Sequence, residues 1–161
     1  VRINLSAIQS IRPPASLFGE FFEKSVHFSG AMYPEGNFVE VDIVWDKENK
    51  YQDKEPALAV KLDNATIGYV PCVRTIEAYV KEAGSKMKAA IASGDVARAK
   101  YWMDREKFHS DRKPFAVIFR DQVETELFRN HEPVVKAKLA RVQVSDETGE
   151  VMSISVDIDE Y

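Results

Sequence analysis

The chain has 161 residues, 45% of them hydrophobic and 30% charged, with a formal net charge of −4. That length and apolar content can bury a core without covalent staples. A single cysteine, Cys72, excludes an internal disulfide and gives no argument for secretion, and the acidic balance argues against a protein that coats nucleic acid by neutralising phosphates.

In chain order, Val1 to Ile11 reads as a strand with Ile3 and Leu5 on one face, broken by Arg12-Pro13-Pro14. Ser16 to Lys24 is rich in Phe and reads as a short helical turn or the approach to the next strand, with its phenylalanines in the core. Val26 to Tyr33 is expected to be one strand, and Pro34 to Asn37 a turn. From Phe38 to Trp45 the pattern alternates: Val39, Val41, Ile43 and Trp45 face one way, Glu40 and Asp42 the other. That is the period of a half-buried strand. A polar loop from Asp46 to Pro56 follows, with Tyr51 in its middle. A strand over Ala57 to Leu62, a turn at Asp63-Asn64 and a strand over Thr66 to Val70 come next, and Pro71 ends the last because it has no N–H to donate. An aromatic on a loop held by two strands offers a stacking face for a ligand; the plainer alternative is a ring tucked under a turn.

Beyond Pro71 the period changes. Ile76, Tyr79 and Val80 mark a helix over Thr75 to Ala83 that Gly84 closes. Ser85 opens a second helical segment that Gly94 stops, and Asp95 is a suitable N-cap for a third, reaching His109. Tyr101 and Trp102 read as helix packing on a barrel rather than as a nucleic-acid platform. His109 to Pro114 reads as a charged linker, and with Lys100, Arg105 and Lys107 it makes the densest basic cluster, either a solvated helix end or a phosphate contact. Phe115 to Phe119 reads as a short buried strand, and Asp121 to His131 as a loop or irregular strand. Val134 to Val144 and Glu150 to Ile158 form a terminal hairpin about Gly149, with Met152, Ile154, Val156 and Ile158 inward and Ser153, Ser155, Asp157 and Asp159 outward. The apolar phase slips between Leu139 and Val142, which predicts a bulge near Ala140. Lys136 and Lys138 read as solvent charges.

One set of residues carries a family resemblance. The order Asp46, Asn49, Tyr51, Asp53, Ala57, Val60, then Ile67-Gly68-Tyr69-Val70-Pro71, preceded by His27-Phe28-Ser29-Gly30-Ala31-Met32-Tyr33, resembles the HIRAN domain from Leu17 to about Ala83. The resemblance implies a small β-barrel related to OB folds that captures the 3′ end of single-stranded DNA. Carried over by position, Tyr33 and Tyr51 would sandwich the terminal base, Asp53 or Gln52 would accept a hydrogen bond from the free 3′-hydroxyl, and Tyr69 and Arg74 would lie near the phosphate. Met32 stands where end-binding members have Arg, and Cys72 and Val73 stand where basic residues usually follow the Gly-Tyr strand.

No phosphate-binding G-x-x-x-x-G-K-[ST], no CxxC, no HExxH and no serine nucleophile elbow occurs in the sequence. Three scattered histidines and one cysteine do not make a predicted zinc site. No apolar run reaches the length of a membrane span, and no signal peptide is read. The expectation is therefore a non-enzymatic, cytoplasmic, cofactor-free α+β protein without membrane contact. Its fold is expected to be one domain over residues 1–161: a HIRAN-like barrel core at 17–83, an inserted helical segment at 75–109, and further barrel strands at 115–161 that end in the hairpin. Its expected partner is single-stranded DNA, with a protein partner on a barrel that has lost its pocket as the alternative. No oligomeric state is read from the sequence.

Overall fold

A computed structural model describes residues 1–36, 38–49 and 55–159. The chain is α+β and divides into two compact units, one formed by Val1–Val70 with Phe119–Tyr161 and the other by Pro71–Ile118.

The first unit is a curled antiparallel sheet of eight strands. Its strands are β1 (Arg2–Asn4), β2 (Ser25–Phe28), β3 (Ala31–Pro34), β4 (Glu40–Trp45), β5 (Leu58–Leu62), β6 (Ala65–Tyr69), β7 (Val135–Val144) and β8 (Val151–Asp157). The order is β1-β8-β7-β4-β5-β6, with β3 also paired to β7 and β2 to β3. One further bridge joins the two ends of that order. The Leu5 amide donates to the Ile154 carbonyl of β8 (2.9 Å), and one residue later Ser6 and Tyr69 of β6 exchange backbone hydrogen bonds of 2.9 and 3.0 Å.

Two hairpins use two-residue turns with both residues at positive φ, the geometry that matches strand twist. Asp63 and Asn64 (φ 50° and 66°) connect β5 to β6 as expected. Ser29 and Gly30 (φ 49° and 79°) do the same inside Val26–Tyr33, so the single strand expected there is a hairpin, β2–β3. The expected strand over Val1–Ile11 stops at Asn4, and a one-turn helix α1 (Ile8–Ile11) follows Ala7 at φ 65°. A 3₁₀ turn (Ala15–Phe18) and helix α2 (Gly19–Glu23) bury Phe18 and Phe21.

The hairpin β7–β8 shifts register between Leu139 and Arg141, at the predicted bulge, and again between Gln143 and Val144. The inward set on β8 differs from the alternation. Val151 and Ser155 are buried and Met152 is exposed. Ser155 is accommodated because its hydroxyl donates to the Asn4 side chain. Lys136 faces Asp42 and Lys138 faces Glu40 across β7–β4, so the outward acids of β4 are matched by lysines. The Lys136–Asp42 pair is a direct hydrogen bond that raises the lysine pKa. The core gathers Phe18, Phe21, Ile43, Leu58, Ile67, Leu139 and Ile154.

The second unit is a helix pair, α3 (Val73–Ala92) and the part of α4 (Val96–Glu124) up to Ile118. Gly84 does not end α3. Ile76, Ala83 and Ala90 form one buried row through it, and a single interior glycine costs only about 1 kcal/mol against Ala. Gly94 (φ 76°) makes the break, and the Arg98 amide donates to Asp95 Oδ1 at 3.0 Å, the expected N-cap. The helices run antiparallel: Lys113 pairs with Glu77 at 3.0 Å, the His109 and Tyr79 rings are 5.0 Å apart, and Lys86 sits 4.5 Å over Trp102.

The expected linker at His109–Pro114 and strand at Phe115–Phe119 are both helix, because α4 continues through Pro114 to Glu124. A π-helical turn (Thr125–Arg129) extends it over part of the stretch left open between loop and strand. The reason is spacing. Ala116, Phe119, Arg120 and Val123 are buried at i, i+3, i+4 and i+7, whereas Phe115, Val117 and Ile118 are exposed. Sheet strands resume at Val135 rather than at 115. Of the basic cluster, Lys107 is paired with Asp111 at 3.0 Å and Lys113 with Glu77. Among the described residues, no helix is long and apolar enough to cross a membrane.

Candidate nucleic-acid interface

Strand β4 ends in Trp45 and hands the chain to the polar loop. Asp46 closes the base of that loop: its amide donates to the Ala57 carbonyl (2.8 Å) and its Oδ1 accepts the Glu48 amide (3.2 Å). Its Oδ2 accepts the Tyr69 hydroxyl at 2.8 Å. Burial, and then this carboxylate, pushes the Tyr69 phenol above its ordinary pKa, so it stays protonated and donating. Trp45 packs edge-on against Phe128 (centroids 5.1 Å, 86°), and the Lys47 ammonium lies 4.9 Å from the Trp45 ring centre.

The far end of the loop is held by a residue that sequence reasoning did not single out. Arg120 is buried, with Nε 3.0 Å from Glu124 and 3.8 Å from Glu55. Its Nη1 donates to the Val70 carbonyl at 3.4 Å and its Nη2 to the Pro56 carbonyl. One guanidinium thus joins the end of the loop to the end of β6. The available signal was the spacing from Ala116 to Val123, legible only once that stretch is read as helix.

Gly68 has a structural role beside Tyr69. A Cβ there would lie 2.9 Å from Leu5 Cβ and 3.0 Å from Ile8 Cδ1, so glycine lets residues 5–8 cross β6.

Tyr33 belongs to a second cluster. Its hydroxyl accepts from Arg141 Nε at 3.2 Å, and Arg141 also donates to Ser153 Oγ (3.0 Å) and Gln143 Oε1 (3.5 Å). Phe28, 69% exposed, stands edge-on to the Tyr33 ring (6.5 Å, 66°). The bulge at Ala140 makes this possible, because Leu139 and Val142 both remain in the core while Arg141 is turned outward. Arg141 was also missed by the sequence reading, although the phase slip beside it was the signal.

The two clusters are separate. Strands β3 and β4 both pair with β7, Met32 facing Val142 and Ile43 facing Val135, so Tyr33 and the loop base lie toward opposite ends of that ten-residue strand. Arg74 is exposed on the first turn of α3, in the helical unit. Tyr51, Gln52 and Asp53 lie outside the described residues. Among the described residues, no group of three or more His, Cys, Asp or Glu side chains is arranged to hold a metal ion. Comparisons with protein-family models, with curated proteins and with solved structures returned no match.

Proposed function

We propose that this chain is a non-catalytic, cytoplasmic nucleic-acid-binding module of the HIRAN type, with an OB-like barrel that captures a single-stranded DNA 3′ end at the β4–β5 loop. The supporting observation is the Tyr69–Asp46 hydrogen bond. It unites two separate stretches of the motif, the loop that carries Tyr51, Gln52 and Asp53 and the Ile67-Gly68-Tyr69-Val70-Pro71 strand. In this reading Tyr51 stacks on the terminal base, Asp53 or Gln52 accepts the 3′-hydroxyl, and Tyr69 serves the phosphate side. Tyr33, with Arg141 at its hydroxyl, is a second stacking point further along the strand and supplies a cation that Met32 does not. Stacking is worth about 1–3 kcal/mol per base and needs no net positive charge.

The test is fluorescence anisotropy of short oligonucleotides ending in a 3′-hydroxyl or a 3′-phosphate. Tighter binding of the free hydroxyl, with shallow salt dependence and loss of binding in Tyr51→Ala, is expected. Equal affinity for the two ends, or a Tyr51→Ala protein that binds like its parent, rejects the reading.

A second reading, a protein-interaction module, is favoured by one observation: Val96, Tyr101, Met103, Phe108 and Phe115 on α4 are large apolar side chains that are exposed.

A further inference from the structure

A cavity of 440 Å³ opens between helix α1 and the turn end of the β7–β8 hairpin, a volume in the range of small-molecule sites. Its apolar wall includes Ile8, Pro13, Pro14, Val151 and Met152, of which Ile8, Pro13 and Val151 are buried. A second hollow of 280 Å³ shares Ile8, Gln9 and Met152 with it and continues the groove along α1. No residue lining the larger cavity belongs to the β4–β5 loop or to the Tyr33–Arg141 cluster.

The α1 wall is held in a strained form. Ala7 and Arg12, at its two ends, are both left-handed (φ 65° and 51°), and the Arg12 amide donates to the Ile8 carbonyl at 2.8 Å. Ser29, Asp63 and Asn64 also have positive φ, but they form the hairpin turns that require it. At a helix C-terminus the residue that takes this conformation without steric cost is glycine. An arginine there carries a backbone penalty, and such penalties gather where a side chain serves a ligand.

The polar wall holds Gln9 and two opposite charges, Arg12 and Glu150. Both charged residues are exposed. Among the described residues neither side chain has an ion pair or a hydrogen bond, with the other or with a third group. On the strands of the same sheet Arg2, Lys136 and Lys138 each hold a carboxylate. A simple carboxylate in the cavity would satisfy Arg12 and set a like charge near Glu150, and a simple ammonium would do the reverse. A nucleic-acid strand has the first fault. A molecule that carries both charges on an apolar body meets the whole wall: its carboxylate takes the guanidinium fork, its ammonium takes Glu150, and its side chains lie on the prolines, Val151 and Met152.

We propose that this cavity binds a small zwitterion with an apolar body, either a free apolar amino acid or a short apolar peptide with both termini free. Gln9 adds an amide that can donate to and accept from a ligand peptide group.

The test is an NMR titration of the full chain with leucyl-leucine and, separately, with leucine, each to about 10 mM. Saturable shifts of the Met152 methyl and the Gln9 side-chain amide are expected with at least one of them. The tighter ligand identifies the source: the peptide if Gln9 reads a peptide group, the amino acid if it does not. Blocking either terminus of that ligand, by amidation or by N-acetylation, should weaken binding at least about tenfold, or ~1.4 kcal/mol. In Arg12→Gly the amide and the free acid should bind alike, and in Glu150→Gln the acetylated and free amines should bind alike. Arg12→Gly should also unfold at a urea concentration no lower than the parent, which separates loss of the guanidinium from loss of the fold. No saturable shift with either ligand overturns the proposal, as does binding that is indifferent to both blocking groups. An oligonucleotide that displaces the ligand from these two probes assigns the cavity to nucleic acid instead.

Discussion

Gly68 and Gly84 are both lone glycines inside regular elements, yet a methyl group would meet different surroundings at each. At Gly68 it would press on Leu5 Cβ at 2.9 Å and Ile8 Cδ1 at 3.0 Å, both part of the buried core. At Gly84 it would meet the end of a flexible side chain, Glu106 Oε2 at 2.7 Å, with the next atom at 3.8 Å. Gly68→Ala is therefore expected to destabilise by about 1–3 kcal/mol. Gly84→Ala is expected to stabilise by up to about 1 kcal/mol as Glu106 swings aside. Urea denaturation midpoints of the two variants, which should move in opposite directions, check this. Arg120 makes a second contrast. Arg120→Met would leave Glu55 and the Pro56 and Val70 carbonyls without their buried donor, at a cost of about 3–5 kcal/mol. Arg120→Lys keeps the charge but not the planar fork, and should fall between the two. The same titration, run with oligonucleotide binding, distinguishes loss of the fold from loss of the loop's anchor.

At the scale of elements, α4 determines the pH response. His109 is buried against Tyr79 and Phe108, and Arg105 Nη2 is 3.3 Å from its Nε2. An arginine can only donate, so Nε2 accepts and the ring is neutral. Burial first, then the charges of Arg112 and Arg105, push the imidazole below its ordinary value of 6.5. The unfolded chain then takes up a proton that the folded chain refuses, so stability is full above the ordinary value and falls as pH drops through it toward the lowered one. Denaturation at pH ~7.5 and ~5.5, on either side of the free imidazole value, should show the loss, and His109→Gln should reduce it. The same helix explains a misread element. Five apolar residues from Phe115 to Phe119 fit a buried strand as well as a helix when taken alone. Only the burial of Ala116 and Phe119, with Phe115, Val117 and Ile118 exposed, selects the helical phase.

At the scale of the molecule, the sheet depends on six residues. Residues 2–4 pair with β8, and Ser6 then bridges to β6, joining the first and last strands of the order. Deleting residues 1–6 would expose the edges of both β6 and β8 and remove Ile3 and Leu5 from the core. The shortened chain is expected to lose its cooperative thermal transition and to bind a hydrophobic dye, whereas a conservative Ser6→Ala should keep both properties of the parent. Calorimetry and dye fluorescence decide between these outcomes.

The strands β4, β5 and β6, the turn at Asp63-Asn64, the bulge at Ala140 and the Asp95 cap were legible because each rests on local chemistry: a period of two, a positive-φ pair, a phase slip, a side chain that reaches its own helix. The β2–β3 hairpin was legible in principle at Ser29-Gly30, whose turn chemistry was passed over. Arg120, Arg141 and the bridge from Ser6 to Tyr69 were not legible, since their partners lie far along the chain: Arg120 is 64 residues from Pro56, Arg141 is 108 from Tyr33, and Ser6 is 63 from Tyr69. By itself the amino-acid order determined which segments are regular and which residues are stacking candidates. Which of those residues meet was decided by the folded sheet, because a curled antiparallel sheet brings together strands that no local pattern relates.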